Sequence, residues 1–255
     1  PHALRRARVV ADHRELADGP DFLEGKARGG IAPGTRFQVA LPTAWAPVYS
    51  FAAYGTQTAA HARYEAALLG EVARICDVIP GKDLAIQWDV ATEMSWWERL
   101  YPAPFADIES GVITSLARLC NAIPKGVELG VHLCYGSMNN RHWKEPADTA
   151  NLTAVANGLC AAVNRPIDFL HLPVPENRDD LAYFAPLAHL RLPESCELFL
   201  GLLHLSDGLE GARRRIQAAR KFVSRFGLAC ECGLGRRPPE EIPRWLELHA
   251  LAAKG

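Results

Sequence analysis

The segment Val131-His132-Leu133-Cys134-Tyr135 closes a run of apolar residues. In a strand, side chains two apart share a face, so His132 and Cys134 present an imidazole and a thiol together. A second segment, Ala229-Cys230-Glu231-Cys232-Gly233, repeats the device with two thiols on one face and Glu231 on the other. Zinc suits mixed nitrogen and sulfur ligands, and a bound thiol loses its proton near neutral pH to become a nucleophile. Either pair alone has a plainer reading, because cysteine packs in buried strands as a small hydrophobe. Both pairs at strand ends are what favours a site.

Six segments read as the strands that position these groups: Phe37–Leu41, Leu84–Val90, Val127–Cys134, Ile167–Val174, Leu198–Leu205 and Leu228–Cys232. Most are nearly continuous apolar runs, as expected of strands covered on both faces. Helical stripes separate them, starting at Tyr64, at Ile108 behind the cap Asp107, at Leu152, and at Leu209 with a stop at Gly227. A last helix follows Pro238 and Pro239. This alternation predicts parallel strands with right-handed crossovers. No glycine-rich phosphate loop follows a strand, and polar residues gather at the strands' C-terminal ends, where a barrel keeps its active site. The expected fold is α/β, a (β/α)8 TIM barrel over residues 37–255, with residues 1–36 an irregular segment. Eight units at this spacing overrun the 255 residues, so the barrel reads as N-terminally shortened, with one irregular strand around Arg8–Ala11. Gly25–Gly34 reads as a loop.

The bulk numbers bound the function. A hydrophobic share of 49% with 22% charged residues is a globular balance. The net charge of −1 argues against nucleic-acid or anionic-membrane partners, which need a basic excess. Seven scattered cysteines suit a reducing, cytoplasmic setting, and no run is long enough for a transmembrane helix.

Three segments, in order, resemble the catalytic barrel of cobalamin-independent methionine synthase. Gln87-Trp88-Asp89 resembles that family's Gln-Ile-Asp, His132-Leu133-Cys134-Tyr135 its His-Met-Cys-Tyr, and Cys232-Gly233-Leu234 its Asp-Cys-Gly-Leu. The resemblance implies zinc held by His132, Cys134 and Cys232, and an amino group of the thiol acceptor held by Asp89. It also implies a folate ring near Trp45, which lies in Leu41-Pro42-Thr43-Ala44-Trp45. The family's fourth ligand, a glutamate, falls near Pro173; His171, Glu176 or a water are the candidates to replace it. Its second carboxylate is here Val90. Its catalytic histidine falls near His204, offset by two, with Asp207 close by.

Further candidates are Glu93 for a cationic substrate group, Asn139 in the loop after the His-x-Cys strand, and Arg236 for a substrate carboxylate. Glu98 and the run Arg213, Arg214 and Arg215 read as solvated faces, and Trp96 and Trp97 as a lid or as core. The leading expectation is a zinc-dependent methyl- or alkyl-transferase with a small thiol acceptor and a folate or corrinoid donor, the latter carried by a corrinoid protein. The alternatives are a metal-free lyase resembling uroporphyrinogen decarboxylase and a non-catalytic relative.

Overall fold

The computed structural model describes residues 13–136 and 142–254. The strand expected around Arg8–Ala11 lies outside them. Six strands form one parallel sheet in sequential order: β1 (Phe37–Pro42), β2 (Leu84–Val90), β3 (Glu128–Leu133), β4 (Phe169–Pro173), β5 (Glu197–Leu203) and β6 (Gly227–Cys230). A doubly wound sheet reverses its order part-way; a barrel does not. The sheet is therefore ordered like a barrel wall, but among the described residues it has six strands and does not close. Eight-strand closure is not found, and the architecture is compatible with part of such a barrel.

Segment 1–36 is not wholly irregular. Helix α1 (His13–Ala27) runs through Gly19, Pro20 and Gly25. Tertiary contacts outweigh the poor propensity of these residues. Lys26 Nζ bonds Asp83 at 2.6 Å and the Thr35 carbonyl at 2.7 Å, tying the helix end to the base of β2.

The remaining helices are α2 (Trp45–Phe51), α3 (Gln57–Val78), α4 (Thr92–Trp97), α5 (Ile108–Ala122), α6 (Ala150–Ala162), α7 (Leu181–Phe184), α8 (Gly208–Ala219) and α9 (Ile242–Ala252). Asp107 caps α5 by accepting the Ser110 N–H at 3.1 Å. Helix α8 ends at Ala219, short of the expected stop. Gly227 instead begins β6, where a Cβ would come within 2.4 Å of the Phe199 ring.

Right-handed crossovers between sequential strands put every connecting helix on one face of the sheet. Leu84, Ile86, Trp88 and Val90 of β2 turn to that face, with Leu129, Val131 and Leu133 of β3, and form the main core. Ala85, Gln87 and Asp89 turn the other way and line a groove of about 390 Å³. The strands that read as continuously apolar thus have one greasy face and one polar one, and the groove is what the polar face encloses.

Candidate metal-thiol site

Strand pairing lays Pro42, Asp89, His132, His171, Phe199 and Gly227 in one row across the sheet. Asp89, His132, His171 and Phe199 of this row line the groove. Cys134 stands one layer higher, just past β3, its N–H bonded to the Val90 carbonyl at 2.9 Å. Strand β6 stops at Cys230, and the register with β5 is irregular between Leu200 and Leu203. Such an irregularity bends a strand and re-aims its end. Cys232, in the turn beyond, comes back over the sheet to β3. One nitrogen of His132 and the sulfurs of Cys134 and Cys232 all lie within 4.8 Å of one another.

Each group is prepared by its surroundings. His132 Nδ1 lies 3.4 Å from the His171 carbonyl, to which Nδ1–H donates. Nε2 is buried without a directed hydrogen-bond partner. Burial pulls this imidazole's pKa down, but the Cys232 thiol and Asp89 outweigh it and raise the pKa above its ordinary value. Contact with Cys232, then burial, raises the Cys134 thiol. His171 stacks on His132 with centroids 4.4 Å apart. Burial, helped by the neighbouring His132, depresses it to about 3, so it is neutral. Gln87 Nε2 donates to Asp89 Oδ1 at 2.8 Å and orients that carboxylate at the groove wall.

These donors fit zinc. Tetrahedral zinc holds sulfur and nitrogen ligands about 3.5 to 3.8 Å apart, so small rotations suffice. A ligating histidine normally donates its other N–H to a carbonyl, which leaves the remaining lone pair for the metal; His132 does so. Of the candidates for a fourth ligand, Glu176 lines a separate cavity with His142 and Glu231. Pro173 offers only a carbonyl, taken by the Tyr183 hydroxyl at 3.1 Å. His171 faces the groove, with its Nε2 lacking a hydrogen bond, but stands outside the three-atom cluster.

The other expected residues sit elsewhere. Trp45 is buried, its ring face stacked on His61 at 3.8 Å, with Trp96 and Phe105 edge-on. Trp96 is core. Glu93 is fully buried beside Thr43, and burial pushes its carboxyl up to about 7. His204 Nε2–H donates to the Val174 carbonyl at 2.9 Å, and His204 is not part of the groove wall. Asn139 lies outside the described residues, and of Arg236 only the backbone is described, in the turn Leu234–Arg236.

Sequence reasoning missed two groups. Glu98 is no solvated acid: it accepts from Tyr135 Oη at 3.1 Å and from Lys144 Nζ and Asn151 Nδ2, each at 2.7 Å. Arg215 is fully buried, bonded to the Leu202 and Glu176 carbonyls and, bidentate, to Asp207. Its position in α8, on the helix stripe facing the sheet beside Ala212 and Ile216, was the available signal.

No family model matches the chain, and no curated protein matches it by sequence. A solved structure from Listeria monocytogenes, provisionally assigned as a vitamin-B12-independent methionine synthase, superposes with a TM-score of 0.50 at 15% identity. The match covers 85% of this chain and 62% of that one, so this chain spans less than two thirds of its length. The likeness is one of fold. It agrees with an α/β fold built on a parallel sheet and leaves the closed barrel unshown.

Proposed function

We propose that the chain is a zinc-dependent methyl- or alkyl-transferase that activates a small thiol, in the manner of the methionine synthase barrels it resembles. The observation that carries this reading is the convergence of His132, Cys134 and Cys232 from two strands that are not neighbours in the sheet. When bound, zinc supplies a Lewis acid that holds an incoming thiol as its thiolate.

The residues do the rest. His132, Cys134 and Cys232 would hold the ion, and among the described residues no carboxylate belongs to that cluster. Asp89, in the same row as His132, holds a cationic group such as the substrate's amine, with Gln87 fixing its orientation. Phe169 and Phe199 flank the same groove and take the apolar stem. His171, kept neutral, presents no competing charge to the thiol. The methyl donor, a reduced folate or a methylated corrinoid, enters from the strands' C-terminal side.

The test is elemental analysis of the purified protein together with a thiol-alkylation assay. One zinc per chain is expected, falling to background in Cys134→Ala and in Cys232→Ala, with alkyl transfer to aminothiols abolished by chelator and restored by zinc. A zinc-free wild type, or variants that retain the metal, would refute the reading. Transfer that survives in Asp89→Asn at unchanged KM for an aminothiol would remove Asp89 from substrate binding.

A further inference from the structure

A half-buried ion pair joins the loop after β3 to the tip of β6. His142 Nε2 lies 3.2 Å from Glu231 Oε1, and its Nδ1 lies 3.2 Å from Glu145. The His142 side chain is 10% exposed and that of Glu231 24%, whereas Glu145 is 65% exposed. Burial pulls the imidazole's pKa down; Glu231 and Glu145 outweigh it and push the pKa up to about 9. The bridge is therefore a cation between carboxylates.

His142 is also fastened to β3. The Trp143 N–H donates to the Tyr135 carbonyl at 2.8 Å. The Trp143 indole lies against Gly136, at φ +82, where a Cβ would come within 2.4 Å of the ring. Tyr135 directly follows Cys134, and Glu231 directly precedes Cys232. A short chain of links therefore runs from one thiol to the other: Cys134, Tyr135, Trp143, His142, Glu231, Cys232. Each link is a covalent step or one polar contact. Within the sheet, β4 and β5 stand between β3 and β6, and the β5–β6 register is irregular. Twist accumulated over three strand pairs would otherwise decide where Cys232 lands.

We propose that His142 and Glu231 are positioning residues: their ion pair spans the strand tips and sets the distance between the Cys134 and Cys232 sulfurs. Its consequence for metal affinity rests on the zinc reading above; its consequence for thiol geometry does not.

The experiment compares wild type, Glu231→Gln and Glu145→Gln by two measurements. In metal-free protein, oxidised glutathione converts the two thiols to a Cys134–Cys232 disulfide with release of two reduced glutathiones, and mass spectrometry follows the rate. In metal-loaded protein, competition against a chromogenic chelator gives zinc affinity, and the cobalt-thiolate absorption band reports ligand geometry. Glu231→Gln should slow cross-linking several-fold, weaken zinc about 10- to 100-fold, as loss of an outer partner does, and shift the cobalt band. Glu145→Gln, an exposed partner, should change each by less than about twofold. Should Glu231→Gln fail to fold, His142→Gln is read by the same criteria. An unchanged cross-linking rate and cobalt band in the folded variant overturn the proposal. Slowed cross-linking in a protein that takes up neither metal upholds the positioning role and sinks only the zinc reading.

Discussion

His132 shows how little of a site's chemistry is the residue's own. Its Nδ1–H is committed to the His171 carbonyl, which leaves the lone pair of a neutral ring on Nε2. Glu93 makes the converse point. Its carboxyl has an ordinary pKa of 4.5 and is carried to about 7 by burial, partly offset by Thr43. A carboxyl whose folded pKa lies above its unfolded one favours the folded state fully at low pH. That contribution fades as pH rises from 4.5 through about 7. Above that window the wild type should be less stable by about 3 kcal/mol than the same protein below it, from this group alone. Glu93→Gln should remove that slope and raise the denaturation midpoint at pH 8, measured by urea titration at several pH values. Parallel pH profiles for the two proteins would show that Glu93 is already solvated or paired.

At the scale of elements, the site depends on how closely β5 and β6 approach. A Cβ on Gly201 of β5 would meet the Glu231 Cα at 2.6 Å, and backbone cannot step aside as a side chain does. Gly201→Ala should therefore cost about 1 to 3 kcal/mol and displace the turn that carries Cys232. Zinc affinity should fall with it by roughly tenfold or more. Gly130→Ala on β3 is the control. The atoms its Cβ meets first belong to the Phe169 ring, which can swing into the groove, so stability should drop while zinc binding holds. Equal zinc loss in both variants would mean that the sheet transmits any distortion to the site. Glu98 plays a comparable part on the other side, where Tyr135, Lys144 and Asn151 converge on it. Glu98→Gln should cost about 1 to 3 kcal/mol in chemical denaturation, by weakening charge-assisted bonds, and should raise hydrogen exchange over Lys144–Asn151.

On the scale of the whole molecule, a bound metal would tie β3 to β6 across the open side of the polar face. The ligands come from positions nearly a hundred residues apart, so the tie closes a long loop. A ligand that binds only the native state stabilises it by about 2.7 kcal/mol at a hundredfold excess over its dissociation constant. Zinc should accordingly raise the melting temperature of wild type and leave that of Cys232→Ser unmoved; an equal shift in both would place the zinc elsewhere. Among the described residues no helix is long and apolar enough to cross a membrane.

The parallel strands and the placement of His132, Cys134 and Cys232 at or just past strand ends were legible in the residues, because apolar runs, caps and His-x-Cys spacing are local properties. The helical character of 13–27 was not, since Gly19, Pro20 and Gly25 speak against it locally while contacts with distant strands decide it. Nor was the burial of Trp45, Glu93 and Arg215, which depends on what packs over them. Least legible was the meeting of Cys134 with Cys232. Local pattern puts each thiol at a strand end, but only sheet order, twist, the irregular β5–β6 register and the His142–Glu231 bridge bring those ends together. Distances between remote segments are a property of the packed chain, and no local spacing encodes them.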